Sequence, residues 1–229
     1  MNPIGSINWR NLTRHHPSAF LLAAQLLSLG LYVVLEDFQG GQLFLGFFGI
    51  VILLLVVWVV FRSPAVNWIA WLIAGQMVVL SALSLFWDNA NLLNWSALLE
   101  ALLYFYGAIS LITYMMGDEH VTTDDLFAAG ATFTLIAWGF AYLYMVCQAW
   151  STGSFAYGTH PNEPLNFLEL LFLSFANLSA TGLSDIVPVT SPSRVLVMLE
   201  QFSGVAYIAV VVSRLIGLTI ARRQDKGPS

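Results

Sequence analysis

The sequence predicts an all-α membrane protein with six transmembrane helices and one short helix that enters the bilayer without crossing it. Two observations carry this expectation. Hydrophobic residues fill 58 % of the positions and charged residues only 9 %, with a mean hydropathy of +0.76, a composition that does not stay soluble. Long uncharged runs also recur, and a helix crossing a hydrocarbon core of ~30 Å needs about 20 mostly apolar residues.

Six segments meet that length: 19–35, 43–61, 68–87, 96–116, 127–150 and 195–220. A seventh apolar stretch, 165–178, is too short to span and runs into a polar segment, Ser179-Ala-Thr-Gly-Leu-Ser-Asp185. It reads as re-entrant, because non-helical backbone at membrane depth is tolerated only where protein or a water-filled cavity surrounds it.

Basic residues orient the chain. Arg10 and Arg14 precede the first span, Arg62 follows the second, and Arg222, Arg223 and Lys226 follow the last, while the intervening loops 36–42 and 88–94 carry none. The positive-inside rule then places both termini in the cytoplasm of a plasma (inner) membrane protein. The first span is longer than a secretory h-region and no small-x-small site closes it, so it is expected to be retained. The single Cys147 excludes an intrachain disulfide and a thiolate metal cluster. A net charge of −5 gives no sign of nucleic-acid binding.

The domain expectation is a cytoplasmic N-terminus (1–18), a four-helix module (19–116), an acidic cytoplasmic linker (117–126), a second membrane module (127–220) and a cytoplasmic tail (221–229). Thr122 and Asp125 fit a capping box that starts the fifth span, with acidic groups favoured there by the helix dipole. The other reading of Asp118, Glu119, His120 and Asp124 is a divalent-ion or pH sensor. Segment 96–116 contains no Arg or Lys. A voltage sensor needs several, because each charge contributes only about 2.3 kcal/mol per 100 mV. Glu100 reads either as an interfacial side chain or as a buried functional acid, and the tryptophans near span ends read as an interfacial belt. No internal repeat or pair of broken helices marks a transporter. No Ser-His-Asp set, paired carboxylates or His-rich motif supports an enzyme, a cofactor or a small-molecule substrate.

Helix, outer linker, short helix, polar loop and helix follow one another over 127–220. Within the loop, Gly182, Asp185 and Pro188 fall in register with T-T-V-G-Y-G-D-x-x-P, and Gly204 stands nineteen residues after Asp185. This module resembles the pore domain of the potassium-channel superfamily. The resemblance implies a pore helix (165–178), a filter of Ser179, Ala180, Thr181, Gly182, Leu183, Ser184 and Asp185, and an inner helix (193–220) hinged at Gly204. It also implies a homotetramer in which four loops replace the ion's water shell with backbone carbonyls. In that register Ile208, Val212 and Ile216 face the axis and form an apolar gate that closes by dewetting.

Several departures from the family pattern weaken the expected filter. Leu183 replaces a tyrosine, Ala180 a threonine, and Thr181 a valine. Ser184 replaces the second glycine, where a Cβ in left-handed geometry costs roughly 1 to 2 kcal/mol. Phe172 and Leu173, in the short helix, offer no hydrogen-bond donor where filter support is expected. The expectation is a channel passing monovalent cations (K or Na) with little discrimination. A potassium-selective channel with a rescued filter and a non-conducting scaffold or regulatory subunit are the alternatives. Four copies of Asp185 would gather cations at the outer mouth, and in the geometry the resemblance implies the C-terminal end of the short helix near Leu178 points its negative dipole end inward toward the cavity. Glu200 either hydrogen-bonds the loop backbone, through Ser203 or water, or lies in a watery crevice; Glu169 stays equally open. Arg194 and Arg214 are twenty residues apart, roughly 30 Å along a helix, so each can snorkel to one membrane face. Arg214 pairing with a lipid phosphate or a linker carboxylate is the other reading.

Overall fold

The computed structural model describes residues 17–35, 51–52, 54–58, 75–76, 90–117, 122–157, 164–217 and 220. Expected spans 43–61 and 68–87 therefore lie largely outside the described residues, as do the linker residues Asp118, Glu119 and His120. The described helices are α1 (Pro17–Leu35), α2 (Ala90–Gly117), α3 (Thr123–Trp150), α4 (Phe167–Leu178) and α5 (Ser191–Tyr207), the last running into a π-helical turn, Ile208–Val212. Two three-residue strands, β1 (Phe155–Tyr157) and β2 (Ile186–Pro188), accompany them. Among the described residues three helices are long and apolar enough to cross a membrane: Leu92–Gly117, Thr123–Trp150 and Ser191–Gly217.

The capping box expected at the start of α3 forms. Thr122 Oγ1 accepts from the Asp125 amide at 3.3 Å, and the Asp125 carboxylate accepts from the Thr122 amide at 2.7 Å. Asp124 serves a different helix. Its carboxylate accepts the Ser18 amide at 3.2 Å and the Ser18 hydroxyl at 3.0 Å, capping the first turn of α1 from the base of α3. With its neighbours in the expected sensor outside the described residues, Asp124 is a buried structural cap.

α3 is the spine. Its buried residues include Leu135, Trp138, Ala141 and Tyr144, which pack against α1, α2, α4 and α5. At one end an aromatic group joins three helices to the start of α4. Tyr104 of α2 stacks on Tyr142 at 5.6 Å, and Phe167 packs on Tyr142 at 4.7 Å, Trp138 at 5.6 Å and Tyr32 of α1 at 5.8 Å. Glu100 hydrogen-bonds the Tyr142 hydroxyl within this group, so it is held between helices α2 and α3. Trp95 and Trp150 meet edge-to-face at 5.9 Å at the same end of the α2–α3 pair and stay mostly exposed.

Among the three described helices of membrane-crossing length, Ser191–Gly217 is the least enclosed by its own chain, 28 % buried against 61 % for α3. Val195, Met198, Leu199, Phe202 and Val205 are all about half exposed or more.

Candidate functional site

The site is a short buried helix, the loop that follows it and the helix that packs behind both. Helix α4 begins at a second capping box, in which Asn166 accepts the Glu169 amide at 2.9 Å and Glu169 accepts the Asn166 amide at 2.7 Å. This answers the open question over Glu169: it is a helix cap, signalled in the sequence by the N-x-x-E spacing. Gln148, near the end of α3, pairs its side-chain amide with the backbone of Leu165 as a strand neighbour would, donating to its carbonyl at 2.8 Å and accepting its amide at 3.1 Å. The start of α4 is thus fixed to α3 on two sides, by Gln148 and by the rings around Phe167.

The other end of α4 is closed by the loop itself. Gly182 donates to the carbonyl of Ala176 at 2.9 Å and Ala180 to that of Asn177 at 3.0 Å, while Thr181 Oγ1 donates to Ala176 at 3.2 Å. The Ser179 and Thr181 hydroxyls meet at 3.0 Å. Carbonyls that a helix end leaves without partners are thereby used. Two residues take positive φ, Ala180 at 57° and Gly182 at 63°. The left-handed strain expected at Ser184 falls instead on Ala180, because the tight return of the chain onto Ala176 needs the reversal there. Ser184 turns its hydroxyl to the amide of Ile186 at 3.1 Å and donates its own amide to the Gly182 carbonyl at 3.0 Å. Thr181, Leu183 and Asp185 are exposed, Leu183 by 78 %.

After the loop, β2 pairs antiparallel with β1, with Tyr157 opposite Ile186. That register sets Tyr157 beside Asp185, whose carboxylate raises the Tyr157 phenol above its usual range by its charge and by accepting its hydrogen bond. No signal in the sequence marks this pairing, which supplies the loop with a phenol from the outer linker in place of the one missing at Leu183. Ser154 ties the corner together. Its carbonyl accepts from Val189 N at 2.8 Å and from the Ser193 hydroxyl at 2.7 Å, and its hydroxyl donates to Ser151 O at 2.6 Å.

Behind α4 lies Glu200, with no exposed surface. Its carboxyl is hydrogen-bonded to the hydroxyls of Tyr144 on α3 and Ser174 on α4, and Ser174 Oγ also donates to the carbonyl of Ala137 at 2.7 Å. Neither expected reading of Glu200 describes this arrangement. It reaches the helix rather than the loop backbone, no crevice opens to it, and the Ser203 hydroxyl is turned to Leu199 O at 2.7 Å. Phe172, on α4, is half exposed.

One turn below Glu200, Gly204 is buried against the end of α4. A Cβ built there would lie 2.0 Å from the carbonyl oxygen of Leu178, so close approach of two backbones is what requires glycine at this position. The helix loses its regular α hydrogen bonding four residues later, at the π turn Ile208–Val212. Such a turn shifts the register of everything after it, and single π turns are frequent at functional sites. Of the three residues placed on one face by α-helical spacing, Ile208 and Ile216 are exposed and Val212 is half-buried next to the buried Val211. Arg214 donates to the Met116 carbonyl at 2.7 Å, at the C-terminal end of α2, where a cation complements the helix dipole. Arg194 donates from Nε to Pro188 O at 3.4 Å.

Comparison with known proteins gives one family match: residues 130–220 fit the family described as "Ion channel". No curated protein and no solved structure matches the chain.

Proposed function

We propose, from the fit of residues 130–220 to the ion-channel family, that the chain carries a pore domain of the potassium-channel superfamily, assembles as a homotetramer around its four 179–185 loops and conducts monovalent cations passively, with weak discrimination between potassium and sodium. The observation that carries the reading is the loop itself. It leaves the C-terminal end of a buried helix, takes positive φ at two alternating positions, Ala180 and Gly182, and leaves Thr181, Leu183 and Asp185 exposed. Positive φ at alternating positions is the backbone conformation that a row of carbonyl ion ligands would draw on in the assembled filter. The open face of Ser191–Gly217 supports assembly, because it leaves apolar surface for neighbouring copies.

Weak selectivity follows from what holds the loop. Its phenol contact is at Asp185, the last residue of the filter segment, and Glu200 braces the helix behind it. Neither tether fixes the spacing of the carbonyl rings themselves. Segment 96–116 has no basic residue, so the channel responds weakly or not at all to voltage. The chain lies in the plasma (inner) membrane with both termini in the cytoplasm, on the Lys and Arg distribution.

Purified protein in liposomes tests the reading. Passive sodium and potassium uptake above that of empty vesicles is expected, together with a tetrameric mass in detergent. A monomeric or dimeric protein without flux would instead fit the non-conducting scaffold and overturn the proposal. A steep conductance–voltage curve in planar bilayers would remove the claim of voltage independence.

A further inference from the structure

We propose that Glu200 carries a proton and donates it to Ser174, and that this proton holds the pore helix in place behind the loop. For its functional consequence the proposal rests on the conduction reading above; for its chemistry it rests on counting hydrogens. A serine hydroxyl has one hydrogen and two lone pairs. Ser174 Oγ stands within hydrogen-bond distance of two acceptors, the Ala137 carbonyl at 2.7 Å and a Glu200 carboxyl oxygen. The carbonyl can only accept, so the Ser174 hydrogen belongs to it. Two oxygens then face each other between Ser174 and Glu200 with no hydrogen to share, unless the carboxyl brings one. A neutral Glu200 completes the chain: Tyr144 donates to Oε2, Oε1–H donates to Ser174, and Ser174 donates to Ala137.

The surroundings fit a neutral acid. Glu200 has no exposed surface, and a buried carboxylate without a cation carries a large desolvation penalty. Facing it from α3 are Tyr144 and, beyond it, Cys147; from α4 come Ser174 and Asn177, the latter accepting from Gln201 on α5 at 3.3 Å. None of these side chains is cationic. The chain of donors runs through the three helices that enclose the loop, so losing the proton turns the Ser174 hydrogen away from Ala137 and leaves a charge between α3, α4 and α5.

Two measurements on the full-length protein in liposomes test this, with Glu200→Gln as the main variant. Glutamine keeps the pattern, since its amide nitrogen donates to Ser174 and its oxygen accepts from Tyr144, but it has no proton to lose. Infrared spectra of the wild type at neutral pH are expected to show the carbonyl stretch of a neutral carboxylic acid, absent from Glu200→Gln and shifted to higher frequency in Ser174→Ala. Wild-type cation flux is expected to fall about tenfold as the pH is raised through the alkaline range, the weight of one buried hydrogen bond left unmade, whereas Glu200→Gln conducts with no such fall. Spectra of wild type and Glu200→Gln that agree in that region overturn the proposal, as does an identical alkaline pH profile in the two proteins. A carboxylic-acid band without flux in either protein keeps the proton assignment and overturns the conduction reading, so the two failures are told apart.

Discussion

Replacing Gly204 with alanine separates a packing glycine from a flexible one. The added Cβ would sit 2.0 Å from the Leu178 carbonyl oxygen and 2.8 Å from its carbon. Ordinary contact begins at 3.4 Å, so α5 must retreat from the end of α4 by about 1.4 Å. No rotamer change relieves the clash, because the obstacle is backbone at the last residue before the loop. The helix cannot yield on the other side either, since Ser174, Gln148 and the rings around Phe167 hold it against α3. Overpacking of this kind costs about 1–3 kcal/mol. A glycine kept only for flexibility behaves in the opposite way, since alanine is the better helix former by up to about 1 kcal/mol. The sign of the stability change therefore decides. Gly217→Ala is the control, because a Cβ there meets nothing within 4 Å and is expected to be neutral or stabilising. Thermal unfolding of the purified protein in detergent, followed by tryptophan fluorescence and paired with liposome flux, reads both effects. Gly204→Ala unfolding at or above the wild-type temperature with unchanged flux would refute the packing argument.

Other perturbations test separate parts of the account. Ala180→Gly removes a Cβ from left-handed backbone and is expected to stabilise the folded protein by about 1 kcal/mol, seen as a higher unfolding temperature; a lower one would show that the side chain packs usefully in the assembly. Asp185→Asn is expected to lower single-channel conductance at low ionic strength and to match the wild type near molar salt, where the Debye length falls to about 3 Å; equal conductances at low salt would exclude a charged outer ring. Arg214→Ala releases the end of the last helix from the Met116 carbonyl, a bond to a charged group contributing about 1.5–3 kcal/mol. Its open probability in planar bilayers is expected to rise, and an unchanged value would show that this contact takes no part in gating.

The features legible in the sequence were those written locally. Thr122 and Asp125 announced the start of α3 by their spacing, and the apolar run before Ser179 marked α4 to within two residues of its first helical position, Phe167. Helix α2 starts at Ala90, ahead of the expected 96, because Asn91 and Asn94 lower the hydropathy of a turn that is nevertheless helical. Contacts across the chain left no such trace. Gln148 with Leu165, Tyr157 with Asp185, and Glu200 with Tyr144 and Ser174 join residues between 17 and 56 positions apart, and nothing in periodicity records which polar group meets which. The π turn lies in Ile208-Ala-Val-Val-Val212, whose side chains suit an α-helix in apolar surroundings equally well. Gly204 was visible as a glycine in a helix; its reason became visible only with Leu178 opposite.

Reversal potentials of the purified protein in planar bilayers, with potassium on one side and sodium on the other, test the central claim most directly. Currents that reverse close to zero, in a protein of four-fold stoichiometry, are the result this account predicts. A reversal potential near the potassium equilibrium value, or no current from folded tetramers, would contradict it.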